Sequence, residues 1–400
     1  MKKLRLGIIG FGKHGSHYVR RYLETDECEN IELVALAENN QTRLDYARKH
    51  LKGVKLFNDA IEMLDSGLID TCQIVVPHFE HSHYAEECFK RGIHVLCEKP
   101  LCVNASEVRK LLNEHKKYKD VVFGVMLNQR TNPLYIKLKE LIDNKTYGEV
   151  KMINWEITDW YRTQTYFDES YWHGTWIGEG GGLFINQAIH QLDLWQWLFG
   201  MPQKVLTKFG YGVGHDIATE DEGVVYLEYE NGTRGVFVSA TDRVCGRNVL
   251  EIYTDKARIS VEKRRIVINE IIEDIKDLEN DYRRMYKKPK EKETVIEITE
   301  HDPKHEGVVN DFADAVLNKK ELKIKAEEGY NSVALCNAIY LSSFLNKEIT
   351  IPCDEELYNK ELEERRKNSH YREKARNSLS GILSSYDDGV INGYTNKIIK

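Results

Sequence analysis

The chain has 400 residues, 57 Lys and Arg against 64 Asp and Glu, a formal net charge of −7 and 41% hydrophobic residues. That balance suits a globular protein of two or three structural units with a sizeable core, and it argues against nucleic acid as a partner, which favours a basic face. Eight cysteines without Cys-x-x-Cys spacing read as reduced thiols rather than a disulfide framework or zinc site. No run of signal-peptide or membrane-spanning length follows Met1-Lys2-Lys3, so a cytoplasmic protein without a membrane partner is expected.

In chain order, Leu4, Leu6, Ile8 and Ile9 predict a short strand, followed by a glycine-rich turn and a helical stretch through Tyr22. Further strands are predicted at Ile31 to Ala37, Cys72 to Val76 (stopped by Pro77), His94 to Cys97 and Val121 to Leu127. Helices are predicted at Gln41 to Leu51 and after Asn104, where Glu107 three residues on completes a start signal. Short apolar strands alternating with amphipathic helices indicate a parallel sheet covered on both faces. From about Glu149 to Thr299 the pattern becomes strand-rich. Glu149 to Ile157 alternates, Glu230-Asn231-Gly232-Thr233 reads as a hairpin turn, and Leu183 to Leu198 is an apolar helical exception.

Ile271 to Glu293 is highly charged and reads as an exposed excursion. The tail from Glu355 reads as a peripheral helix or an arm reaching a neighbouring subunit, with nothing catalytic in it. The fold class is therefore an α/β Rossmann domain plus an α+β domain with a large open, mainly antiparallel sheet. The expected divisions are 1–127 for the parallel-sheet domain, 128–328 for the open-sheet domain, and 353–400 for a C-terminal extension.

Gly10-Phe11-Gly12-Lys13-His14-Gly15 fits Gly-x-Gly-x-x-Gly, between a strand and a helix. The three glycines allow the tight turn, close backbone approach to a pyrophosphate, and close helix–strand packing. The helix N-terminus offers free N–H groups to the phosphates. Glu38, at the end of the second strand, sits where a carboxylate binds both ribose hydroxyls and repels a 2′-phosphate. NAD is thus expected over NADP, although Arg43 on the next helix lies near enough to weigh against this.

Five landmarks then occur in order: the glycine loop; Val76-Pro77-His78-Phe79-Glu80-His81; Glu98-Lys99-Pro100; Gly180-Gly181-Gly182 followed by Asn186 and His190; and Glu328-Gly329-Tyr330-Asn331-Ser332. With these the chain, over about residues 4 to 352, resembles the glucose–fructose oxidoreductase and inositol dehydrogenase family, Gfo/Idh/MocA. The resemblance implies a nicotinamide cofactor, a polyol or sugar substrate, and pairing of copies into a dimer or tetramer through the open sheet. It also implies that the late helix, 329–345, packs back on the Rossmann domain. Pro77, His81 and Glu98 would then lie beside the cofactor, with Glu98 near the nicotinamide ribose.

Oxidising a secondary alcohol needs a base near neutral pH and a cation beside the developing alkoxide. His190 supplies the first and Lys99 the second, the roles the family gives these motif positions. The family commonly has Asp where Asn186 stands. Asn orients a hydroxyl but takes no proton, which shifts the burden to His190. Tyr161, Arg162 and Trp176 read either as a sugar-binding aromatic wall with an arginine, or as aromatic core with a surface arginine. Asp159, Glu220 and Asp221 read as solvated carboxylates or substrate-domain contacts. No metal is expected, since His78 and His81 lack a further ligand cluster.

Three functions follow in order of preference. The first is an NAD-dependent dehydrogenase of a sugar, glycoside or sugar derivative. The second is a glycosidase using retained NAD for transient C3 oxidation and elimination. The third is a non-catalytic NAD-binding regulator, against which the presence of both Lys99 and His190 counts.

Overall fold

A computed structural model describes residues 3–281, 285–286 and 288–387. Six strands form the first sheet: β1 (Leu4–Ile9), β2 (Ile31–Ala37), β3 (Lys55–Phe57), β4 (Thr71–Ile74), β5 (His94–Cys97) and β6 (Phe123–Val125). Their order is β3-β2-β1-β4-β5-β6, every neighbouring pair parallel. This is the doubly wound dinucleotide-binding arrangement. Strand order reverses between β1 and β4, so the segments leaving their C-terminal ends, Gly10–Gly15 and Val75–His78, face one crevice.

The second sheet has nine strands. They are β7 (Val150–Ile157), β8 (Lys204–Tyr211), β9 (Glu220–Glu228), β10 (Arg234–Ala240), β11 (Asn248–Thr254), β12 (Ala257–Glu262), β13 (Arg265–Ile271), β14 (Glu291–Glu297) and β15 (Ile349–Thr350). The order is β14-β13-β12-β11-β7-β10-β9-β8-β15, antiparallel except for β7 beside β10. One face is buried through Ile153, Trp155, Phe237, Val225, Ile252 and Ile268. The period of two places Met152, Val224 and Val295 on the exposed face. Helices Pro133–Asp143, Ile189–Phe199 and Gly329–Leu345 cover the buried face, contributing Leu138, Trp195 and Ile339 to a shared core.

Several sequence expectations shift. The apolar stretch from Leu183 divides into a single turn, Leu183–Asn186, and the helix Ile189–Phe199. Helix Gly329–Leu345 meets the first core through Tyr330, Val333 and Ala334, while Leu335 to Leu341 join the second. It is apolar around its whole circumference, so both sheets bury it, and Asn337 ties it to the first domain by accepting from Ala105 N (2.8 Å) and donating to Val103 O (2.9 Å). In the charged excursion, Ile275–Asn280 is a helix with no buried residue, and residues 282–284 and 287 lie outside the described residues. The tail forms helix Glu355–Lys367, then crosses back to the first domain of the same chain, where Ile382 enters the core. Among the described residues, no helix is long and apolar enough to cross a membrane.

A buried ion pair fixes the helix Ile189–Phe199. Arg130 donates to both oxygens of Asp193 (2.7 and 2.8 Å) and to Glu328 (2.5 Å). Removing one partner leaves an uncompensated buried charge. Arg130→Met is therefore expected to destabilise the fold by about 3–5 kcal/mol in urea unfolding, with Arg130→Met/Asp193→Leu recovering part of the loss. A loss below ~1 kcal/mol in the single variant, as exposed pairs give, contradicts this.

Candidate active site

The crevice at the strand-order reversal is a cavity of about 380 Å³, within the range of small-molecule sites. At one end lies the glycine loop. Gly10 has φ +101°, and a Cβ there would stand 2.2 Å from Val75 O. A Cβ on Gly15 would stand 2.0 Å from Gly10 O, so this residue lets the helix Lys13–Glu24 press against the turn. Gly12 behaves differently: its Cβ direction is open but for Arg43 Nη1 at 4.0 Å, leaving backbone accessible to a ligand. Glu38 accepts from Phe11 N (2.7 Å) and Asn40 N (2.8 Å), which fixes a carboxylate at the cavity wall beyond β2. These residues fit a dinucleotide, with phosphates at the loop and ribose at Glu38.

Further along, Val75, Val76, Pro77, Glu98 and Lys99 line the cavity from the ends of β4 and β5. Tyr18 donates to Glu98 (2.5 Å), and Glu98 accepts from Lys99 N (3.2 Å). Burial raises the Glu98 carboxyl, against the opposing pull of Lys99. The Lys99 ammonium donates to Asn186 O (2.8 Å) and Asn186 Oδ1 (3.2 Å). Burial lowers its pKa, while Glu98 and Glu179 pull the other way. The Asn186 amide in turn donates to Glu179 Oε1 (2.5 Å), whose other oxygen accepts from Gly174 N (2.6 Å). Burial pushes the Glu179 carboxyl up to about 8.

The glycine run before Asn186 is a packing device. Gly180 takes φ +78°, and a Cβ on Gly181 would stand 2.1 Å from the Tyr340 hydroxyl. Glu220 accepts from Gly182 N (3.1 Å), Phe184 N (2.9 Å) and Tyr340 Oη (2.5 Å), fixing the turn that delivers Asn186. Asp221 accepts from Val213 N, Gly214 N and His215. Both acids are fully buried structural anchors rather than solvated or substrate-contacting groups.

His190 is not part of the main cavity wall but stands beside it, close enough to Lys99 to feel its charge, with His305 and His14 as further neighbours. Burial first, then the Lys99 charge, hold its pKa well below the usual histidine value. Among the described residues its buried Nδ1 has no hydrogen-bond partner, a state shared by the Nδ1 atoms of His173 and His305. His14 and His173 are likewise held neutral by burial, His14 at about 3. Tyr166 stacks on His173 (4.9 Å between centroids), Trp172 lies 4.0 Å from His173, and all three line the cavity.

Some expected contacts fall elsewhere. Phe11 is fully buried in the first core, so only its backbone serves the loop. Trp176 is 7% exposed and donates to Ala218 O (3.0 Å) among Tyr340 and Phe344, because its indole fills the second core. Tyr161 is 50% exposed and outside the cavity wall. Arg162 lies over the Tyr166 ring (5.2 Å), near the wall without forming it. His81 is fully buried between Pro100 O (2.8 Å) and Val76 O (2.9 Å), and burial holds it to about 4, so a neutral ring donates to one of the two. It ties the β4 and β5 loops together. His78 is bonded to Glu179 O (2.9 Å). Sequence reasoning missed Glu179, which lies behind Asn186, His305, which neighbours His190, and the tail residues Ser378, Ser380, Gly381 and Ile382 of the cavity wall. A glutamate directly before three glycines was the available signal for the first.

Fold and cavity together define a nicotinamide-dependent oxidoreductase. A family model for the oxidoreductase family with NAD-binding Rossmann fold, GFO/IDH/MocA, matches residues 4–125, and the model of the same family's C-terminal domain matches residues 135–260. The chain belongs to the GFO/IDH/MocA oxidoreductase family, and NAD is its cofactor. The myo-inositol 2-dehydrogenase of Thermotoga maritima is 27% identical over 66% of this chain and 76% of that protein. The rhizopine catabolism protein MocA of Rhizobium meliloti is 29% identical over 50% of this chain, and the match spans 58% of that relative. The WlbA dehydrogenase from Bordetella pertussis, solved with NADH and UDP-GlcNAcA, has a TM-score of 0.73 at 23% identity, covering 88% of this chain and all of that one. That likeness is one of fold.

Glu179 keeps its proton in the folded protein up to about pH 8, against 4.5 for an ordinary glutamate. The folded state therefore holds an extra proton between these values. Its contribution to stability is complete below about pH 4.5 and is lost as pH rises toward 8. The melting temperature of Glu179→Gln, relative to the unsubstituted protein, is expected to climb across this interval. A difference that stays flat with pH contradicts the assignment.

Proposed function

We propose that the protein is an NAD-dependent dehydrogenase acting on a secondary hydroxyl of a sugar, glycoside or sugar derivative, in either direction. The observation that carries the reading is the buried Lys99 ammonium, held at the cavity wall by Asn186 and next to a neutral His190. When bound, NAD takes or gives the hydride. Lys99 donates to the substrate oxygen and stabilises the negative charge that develops as the hydroxyl proton leaves. A ring nitrogen of His190, unprotonated at neutral pH, accepts that proton. Asn186 fixes the ammonium. The stacked Tyr166, His173 and Trp172 offer apolar faces to the C–H groups of a sugar ring.

The relatives named as inositol dehydrogenases support this substrate class, as does a structural neighbour, a levoglucosan dehydrogenase solved with NADH and levoglucosan. The Asn186-Gln187-x-x-His190 form of the motif resembles branches of the family that act at C3 of pyranosides, and C3 is the proposed position.

A panel of sugars and glycosides read by NADH absorbance tests the reading. Lys99→Met is expected to lower kcat by about 10²–10³-fold, the loss typical of an oxyanion donor. His190→Ala is expected to lower it by about 10²–10⁴-fold, with NADH binding retained. An unchanged transfer rate in His190→Ala removes that residue as the base. Glycoside cleavage without added NAD marks the transient-oxidation route instead. We also propose that copies pair through the outer face of the nine-stranded sheet, where Met152, Val224 and Val295 are exposed. Light scattering is expected to give a multiple of the chain mass, reduced by Val224→Asp; a monomeric unsubstituted protein rules this out.

A further inference from the structure

The segment after helix Glu355–Lys367 runs over the cofactor cleft, fastened on both sides. On the second domain, Ser369 Oγ accepts from Ile177 N (3.2 Å), and Arg372 donates from N to Tyr171 O (2.8 Å) and from Nη1 to Asp168 (2.9 Å). Arg376 lies over the Tyr171 ring (4.8 Å). Ser378 and Ser380 both donate to Glu169, itself part of the cavity wall (2.5 and 2.9 Å). On the first domain, Asn40 donates from its amide to Arg376 O (3.0 Å) and Asn377 Oδ1 (2.9 Å). Ile382 is 1% exposed in the first core, and Gly381 lies against Lys13.

These first-domain attachments coincide with the two ends of an adenosine-diphosphate site. Asn40 follows the ribose acid Glu38 by two residues, and Lys13 opens the helix after the glycine loop. Residues 376–382 connect them, and Ser378, Ser380, Gly381 and Ile382 share one cavity wall with Gly12 and Glu38.

We propose that residues 369–383 are a structural part of the dinucleotide site, a strap that closes over the adenosine-diphosphate half of NAD and limits its exchange. This rests on the NAD reading of the cleft. The strap is held by an exposed ion pair, hydrogen bonds and a few apolar side chains, chiefly Leu379 and Ile382, so it opens locally without unfolding either domain.

The test uses the full chain loaded with NADH and chased with excess NAD, with release followed by NADH fluorescence. Ile382→Asp, which undocks the strap, and a chain ending at Asn368 are each expected to release NADH at least about tenfold faster, with unchanged far-UV circular dichroism. In parallel, NADH is expected to slow tryptic cleavage at Arg372, Lys374 and Arg376. Should the truncated chain fail to fold, Ile382→Asp and the Ser378→Ala/Ser380→Ala variant carry the test alone. Release rates equal within about twofold across the folded variants overturn the strap but leave the cofactor reading standing. Failure of the intact chain to bind NADH overturns both.

Discussion

The Lys99 ammonium is a charge kept away from bulk water, and most of the site is arranged to make that tolerable. A buried cation is costly unless it is hydrogen-bonded and opposed by negative charge. Two oxygens of Asn186 supply the bonds, and Glu98 supplies the opposing field. The cation then acts outward. His14, His78, His81, His173, His190 and His305 are each depressed first by burial and further by Lys99. One positive charge surrounded by neutral imidazoles leaves an oxyanion as the group the site most needs, which is the charge that forms on an alcohol losing its proton.

That arrangement depends on two domains meeting at a fixed distance. Lys99 leaves the end of β5 in the parallel sheet, while Asn186 and Glu179 come from the turn beneath the antiparallel sheet. The turn is pinned from behind by Glu220, and helix Gly329–Leu345 contributes Tyr340 to the same pin. The absence of side chains leaves room for the Tyr340 hydroxyl at Gly181 and for the Glu220 backbone oxygen and Thr219 side chain at Gly182. The geometry at Lys99 therefore rests on a buried network behind the cavity wall.

What the sequence made legible was local. A strand, a glycine turn and a helix announce themselves within a dozen residues, because the pattern and the turn chemistry are contiguous. Lys99 and Asn186 were legible through motifs. Trp176 and Tyr161 were not, since an aromatic residue reads the same whether its ring fills a core or a cleft, and only tertiary packing separated them. Glu220 and Asp221 looked like surface acids because their partners, Tyr340 and His215, lie on other elements. The tail was hardest. Its residues are small and polar, and their place over the cofactor cleft follows from Ile382 finding a core more than three hundred residues earlier in the chain.

Asn186, where the family commonly has an acid, now has a physical account. Its amide performs two opposite tasks at once, accepting from the Lys99 ammonium and donating to Glu179. A carboxylate can accept but cannot donate. Aspartate at this position would set a carboxylate against the buried Glu179 carboxyl, with no amide to donate across the 2.5 Å contact, and would push the Glu179 pKa further up. The amide and the buried glutamate are thus a matched pair. In the proposed reaction the proton-accepting duty that aspartate would share stays with His190, while burial keeps Glu179 a neutral carboxyl one hydrogen bond behind the residue that steadies the ammonium.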